Sequence, residues 1–214
     1  MRYTSVIKEE AEQRIAEGAG PVLKYHDTRV LKKRSWRVDT VKKLEEYVLT
    51  IPDFPEPGIM FRDITSVIQD PDGLKLSIDM LAEKARGIDF DVVVGPESRG
   101  FIFGVPVAYL LGKGFVPVRK KGKLPRETLS RKYDLEYGQA EVEIHADAIK
   151  PGQRVIIVDD LMATGGSAEA AAKLVEDLGG QVVKMLFVME LAGLKGRERL
   201  KDYDVESLII YPGK

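Results

Sequence analysis

From residue 91 onward the chain alternates short apolar runs with segments of helical length. Residues 91–95, 115–118, 154–158 and 182–189 are short and largely apolar, the pattern of strands buried on both faces. Residues 100–111 form an apolar segment of helical length in which Pro106 predicts an interruption. Residues 167–178 read as a helix closed by Gly179 and Gly180. Residues 133–137 and 140–145 alternate like a hairpin around Gly138, residues 194–200 suit a short helix, and residues 205–211 suit a last strand. Such alternation predicts an α/β fold, a mainly parallel twisted sheet flanked by helices.

The first half is less regular. Val6, Ile7, Ala11 and Ile15 share one face of a weak helix that Gly18, Gly20 and Pro21 end. Lys32, Lys33, Arg34 and Arg37 surround Trp36; this run reads as a solvated arm or linker, with nucleic-acid or partner contact as the alternative. Asp39 or Thr40 can cap a helix carrying Val41, Leu44, Tyr47 and Val48. Three prolines and a glycine within residues 51–58 predict a loop without regular structure. Residues 74–86 look helical. The division expected is an N-terminal extension, 1–38, of unknown role and one main domain, 39–214.

Composition narrows the chemistry. The 214 residues include 33 Lys and Arg against 34 Asp and Glu, so the chain has no basic excess to coat nucleic acid. It has no cysteine, which excludes disulfides, thiolate metal sites and a cysteine nucleophile, and fits a reducing, cytoplasmic compartment. Two histidines, His26 and His145, are too few for a histidine metal cage. No secretory signal and no membrane span are expected.

Residues 155–167 carry the strongest signal. An apolar strand runs into Asp159 and Asp160, then into Ala163, Thr164, Gly165, Gly166 and Ser167, then into a helix. In an open parallel sheet, ligands bind beyond the carboxyl ends of the strands. A small-residue loop there exposes backbone N–H groups at a helix start, a cradle for phosphate. No Lys follows the glycines as in a Walker loop, and the Rossmann glycine spacing is absent. Two carboxylates beside a phosphate suit ribose hydroxyls or a recruited cation, and the implied ligand is a sugar phosphate.

The same segment resembles the signature of the type I phosphoribosyltransferases. Residues 54–65, 94–104, 119–125 and 135–138 extend the likeness to the adenine phosphoribosyltransferase family, in the right order and nearly without a gap from 40 to 214. The resemblance implies that fold, with a small hood, and transfer of a phosphoribosyl group from phosphoribosyl diphosphate to adenine. It implies Mg2+ carried by the substrate and a homodimer, with no membrane and no nucleic acid. Two other readings are a nucleic-acid-binding regulator that senses the same sugar phosphate and a xanthine-specific transferase.

The resemblance also suggests roles. Asp159, Asp160 and residues 163–167 meet ribose and 5′-phosphate. Glu97, Ser98 and Arg99 form the pyrophosphate loop, with a cis peptide at Glu97–Ser98; many relatives carry Asp at Glu97. Seven basic residues between 119 and 132 resemble a mobile closing loop, in which Arg119, Lys120 and Lys123 reach pyrophosphate. Glu136 handles a proton near base and ribose, with Tyr137 beside it. Phe61 stacks on adenine, with Met60, Arg62 and Leu191 around it.

Overall fold

A computed structural model describes residues 42–134 and 138–213. The weak helix and basic run of the extension, Glu136 and Tyr137 lie outside the described residues. Seven strands form the main sheet in the order β5-β6-β4-β3-β7-β8-β9, and β1 with β2 forms a separate pair. Strands β3 (Val92–Pro96) and β7 (Arg154–Met162) lie at its centre. Every residue of β3 is buried, as is all of 155–160. Residues 92–94 and 155–158 are apolar because neither face of a central strand meets water, and the exceptions, Asp159 and Asp160, come where β7 reaches the crevice.

Strands β4 (Gly114–Lys120), β3, β7, β8 (Gln181–Leu191) and β9 (Val205–Tyr211) run parallel. Strands β5 (Thr128–Asp134) and β6 (Gln139–His145) add an antiparallel hairpin beyond β4. Helices α2 (Pro71–Ala85) and α3 (Arg99–Leu110) cover one face, where Leu81, Phe103 and Val107 pack on Ile156, Val158 and Leu186. Helix α4 (Gly166–Asp177) covers the other, where Ala171, Leu174 and Val175 pack on Val155, Ile157 and Phe187. Helix α1 (Ile64–Gln69) joins the first layer through Ile64 and Val67. The order of strands reverses between β3 and β7: the chain leaves β3 toward β4, then returns to pair β7 on its other side. Loops at the carboxyl ends of these two strands diverge and leave a crevice between 97–99 and 163–167.

Four expectations need correction. Residues 51–58 are not wholly irregular, since β1 (Leu49–Pro52) pairs with β2 (Met60–Asp63), Ile51 opposite Phe61. Pro52 sits at the end of a two-stranded pair, where a missing N–H is tolerated. Helix α3 passes through Pro106 unbroken; the carbonyl this leaves without a donor belongs to Ile102, on the exposed side. Only a 3₁₀ turn, Leu44–Tyr47, is described where a longer helix around 41–48 was expected. Finally, residues 119–132 are not one loop. They comprise the end of β4, a turn, and half of a strand pair that starts at Thr128, five residues before the expected hairpin. Leu129 and Tyr133 alternate toward the core, but Arg131 between them disguises the pattern. Its guanidinium reaches Asp177 on α4 at 2.8 and 2.9 Å.

Candidate active site

The loop after β7 is built by a change of backbone hand. Gly165 has φ 80° and caps α4, a conformation that favours glycine. The first intrahelical bond runs from the Glu169 N–H to the Gly165 carbonyl, 2.9 Å. N–H groups earlier in the turn are therefore free to face an anion. The loop lines a cleft of about 180 Å³ with Leu161, Met162, Tyr133 and Phe187. Tyr133 was expected only as the start of a hairpin arm and not at the cleft, because β5 begins five residues before that arm.

Asp159 and Asp160 are both buried. The Asp160 N–H donates to Asp159 Oδ1 at 2.8 Å, and the face alternation slips between Val158 and Leu161. Val158 and Leu161 consequently pack on one layer, Ile157 and Met162 on the other. Burial, and then the Asp160 charge, push the Asp159 carboxyl well above the usual carboxylate range. Asp160 is paired with Nε of Arg99 from the first turn of α3. Helix α3 can start this close only because residue 100 is glycine: a methyl group there would lie 2.8 Å from Asp159 Oδ1 and 3.1 Å from the Val158 carbonyl.

Across the crevice, the Glu97–Ser98 peptide is cis. The Glu97 N–H donates to the Val118 carbonyl, 2.8 Å. Its carboxylate accepts from Arg119 Nε at 3.0 Å, Arg119 Nη2 at 3.3 Å and the Lys120 N–H at 3.1 Å. The Arg119 hydrogen bond holds the Glu97 carboxyl below its usual range. Arg119 also reaches the Lys123 carbonyl at 3.3 Å. Glu97, Ser98, Arg99, Arg119, Lys120 and Lys123 are thus gathered at the ends of β3 and β4, with Glu97 as anchor. A buried partner, Glu143, went unnoticed in the sequence because it shares the alternating pattern of exposed Glu on β6. It accepts the N–H groups of Lys123 and Leu124 at 2.8 and 2.9 Å and fixes the turn after β4. Burial alone would raise its carboxyl, but these backbone bonds bring it below the usual range.

The third side comes from the β1–β2 pair. Met60 and Phe61 are partly exposed, and Phe61 meets Phe54 edge-on with ring centres 5.0 Å apart. The Arg62 guanidinium stacks 4.2 Å over the Tyr211 ring and reaches the Thr50 hydroxyl. Tyr211 pairs in register with Leu191. Arg62 and Leu191, both expected near a base, are thereby joined through Tyr211, which the sequence reading did not single out. The arrangement offers an anion cradle, two carboxylates, a cluster of cations and an aromatic wall.

A phosphoribosyl transferase domain model matches residues 64–212. The adenine phosphoribosyltransferase of Lachnoclostridium phytofermentans is 67% identical over 174 residues, covering 81% of this chain and all of that protein. The chain belongs to the adenine phosphoribosyltransferase family. The family's crystal structure from Thermoanaerobacter pseudethanolicus superposes with a TM-score of 0.76 at 55% identity, covering 80% of this chain and 100% of that one. The enzyme of that family from Saccharomyces cerevisiae, solved with an imino-altritol bisphosphate and adenine, matches with a TM-score of 0.72 at 46% identity over 77% of this chain and 96% of that one. The type I phosphoribosyltransferase fold expected from the sequence is the fold observed. Among the described residues no helix is long and apolar enough to cross a membrane.

Proposed function

We propose that this chain transfers the 5-phosphoribosyl group from phosphoribosyl diphosphate to adenine, giving AMP and pyrophosphate. The observation that carries this reading is the crevice between β3 and β7. There the 163–167 cradle and the Asp159–Asp160 pair face the Glu97–Arg99 turn. The cradle takes the 5′-phosphate, and its Thr164 and Ser167 hydroxyls add donors. Asp159 and Asp160 accept from ribose hydroxyls. Arg99, Arg119, Lys120 and Lys123 surround the diphosphate with the backbone of Glu97 and Ser98. Adenine lies against Phe61, bounded by Met60, Arg62 and Leu191.

In the reaction the adenine N9 lone pair forms a bond to the ribose C1′ while the bond from C1′ to the diphosphate oxygen breaks. The electron pair leaves with pyrophosphate, and the N9 proton passes to a base, the role assigned to Glu136. Positive charge builds on the ribose ring, as in glycoside cleavage. The cations stabilise the departing oxyanion, which is where fixed charge lowers a barrier most. Arg99 must exchange Asp160 for a diphosphate oxygen, and that exchange releases Asp160 for the ribose.

Mg2+ belongs to the proposal as a passenger of the diphosphate. Glu97 is held by Arg119, and Asp160, once freed from Arg99, is taken by the ribose hydroxyls. The substrate's oxygens are then its main ligands, and it neutralises charge on the leaving group. A homodimer is part of the same reading. The exposed apolar side chains Ile102, Val105, Tyr109 and Leu110 on α3 support it. Light scattering should report twice the 23.9 kDa of one chain. A cytoplasmic setting follows from a substrate too charged to cross membranes unaided.

The deciding experiment incubates the protein with phosphoribosyl diphosphate, Mg2+ and each purine base in turn. AMP from adenine is expected, with little turnover of guanine, hypoxanthine or xanthine. Equal rates with adenine and guanine, or none with adenine, would overturn the reading.

A further inference from the structure

We infer that Arg197 is a positioning residue for the 5′-phosphate loop, and that the turn carrying it is the loop's backstop. The inference rests on residues 163–167 being the 5′-phosphate cradle. After β8 the chain makes a 3₁₀ turn, Ala192–Leu194, and a short helix α5, Gly196–Arg199. Its first residue lies directly against the cradle. A methyl group at Gly196 would sit 2.5 Å from the Ala163 carbonyl oxygen and 3.3 Å from the Gly165 nitrogen. A methyl group at Gly165 would sit 3.0 Å from the Gly196 carbonyl oxygen. Two glycine backbones therefore touch with no side chain between them. Any shift of α5 reaches the phosphate loop without a cushion.

A four-residue helix cannot hold itself in place. Arg197 supplies what it lacks. Nε donates to Glu190 Oε1 at 2.8 Å and Nη2 to Glu190 Oε2 at 2.7 Å, while Nη1 donates to the Val205 carbonyl at 3.0 Å. The Glu190 side chain is 4% exposed and also accepts from the Ser207 hydroxyl at 2.9 Å. One guanidinium thus ties α5 to the ends of β8 and the start of β9. A lysine ammonium is a single point charge and cannot make the fork and the carbonyl contact together.

The Arg197 guanidinium itself contacts only Glu190 and the Val205 carbonyl, neither of them a group assigned to adenine or to the reacting atoms, although Glu190 directly precedes Leu191. Loss of the clamp should therefore affect binding of the phosphate end and little else. Arg197→Lys should raise KM for phosphoribosyl diphosphate by about tenfold, in the range that a small misplacement of binding groups costs. The kcat and the KM for adenine should change less than twofold. Calorimetry should show weaker AMP binding and unaltered adenine binding.

Gly196→Ala, which pushes the same loop from behind with the clamp intact, should give the same signature. Ser207→Ala, which leaves the fork in place, should stay close to wild type. Thr164→Ala, a change in the cradle itself, serves as reference. If Thr164→Ala raises that KM while Arg197→Lys and Gly196→Ala do not, the positioning role is overturned and the cradle stands. If all three leave it unchanged, the cradle reading fails and takes the inference with it. A fall in melting temperature and kcat with both KM values unmoved would mark the clamp as merely structural and overturn the proposal. Should Arg197→Lys fail to fold, Gly196→Ala alone decides between these outcomes.

Discussion

Arg99 and Asp160, 61 positions apart in the chain, form an ion pair that spans the start of α3 and the end of β7. The arginine is half exposed and the carboxylate almost wholly buried. On the proposed reading, the cation that serves the leaving group rests here on an acid that serves the sugar. Asp160→Ala removes both functions. It should weaken phosphoribosyl diphosphate binding by the value of one or two charge-assisted hydrogen bonds, roughly 1.5–3 kcal/mol. Steady-state kinetics with a circular dichroism control check this; an unchanged KM for the diphosphate would remove Asp160 from the ribose site.

Asp159 and Glu97 should leave opposite marks on stability as pH changes. The Asp159 carboxyl is raised, so the folded chain holds that proton more tightly than the unfolded chain does. Its contribution falls as pH climbs from the ordinary carboxylate value of about 4 toward its own titration. Asp159→Asn should therefore gain melting temperature relative to wild type over that window, while binding the diphosphate substrate less well. Glu97 is depressed by Arg119, so its contribution is present above the ordinary value and lost as pH falls through its folded pKa. Glu97→Gln should melt lower than wild type near neutrality and converge with it in acid. Thermal melts of the three proteins from pH 3 to 8 decide both signs.

Tyr211 offers a test of the base side. It carries Arg62 on its face and sits beside Leu191 in register. Tyr211→Ala should raise KM for adenine several-fold, given the roughly 0.5–2 kcal/mol that a cation–π contact contributes. The KM for phosphoribosyl diphosphate should stay put. Tyr211→Phe, which keeps the ring face, should restore most of the loss. Parallel KM changes for both substrates in Tyr211→Ala would place the residue in the framework instead.

Glu136→Gln keeps shape but removes charge and basicity. It should lower kcat by about 10²-fold or more, in line with losing a general base, with little change in KM for phosphoribosyl diphosphate. Truncation of residues 1–38 should alter neither constant. Wild-type turnover in Glu136→Gln would send the N9 proton elsewhere, to solvent.

The parts of this molecule that could be read from sequence are those where burial on both faces dictates composition. Strand β3 lies one residue later than the run expected at 91–95 and β7 starts at Arg154 as expected; the half-buried edge strand β9 also has its expected limits, and α4 starts and ends one residue earlier than expected. The loop at 163–167 was legible for a related reason: a run of small residues marks the junction where a buried apolar strand gives way to a helix. The first five residues of β5 were hidden because Arg131 stands between Leu129 and Tyr133 and satisfies its charge on Asp177, a partner 46 residues away. Glu143 looks like any surface acid until the fold brings backbone N–H groups to it. Gly196 is one of 20 glycines, and only the approach of Ala163 and Gly165 sets it apart. What escaped the sequence was in each case a contact between distant segments, not a local preference.

The reversal of strand order between β3 and β7 has a consequence for synthesis. Val92 pairs with Phe115's neighbour Gly114 on one side and with Val155 on the other. A chain emerging from the ribosome can lay β3 against β4 early, yet the other edge of β3 stays bare until β7 has been made. That edge is apolar on both faces, the kind of surface that templates pairing between nascent chains. The crevice and that bare edge of β3 are thus the same place, and the arrival of β7 covers the edge and forms the site in one step.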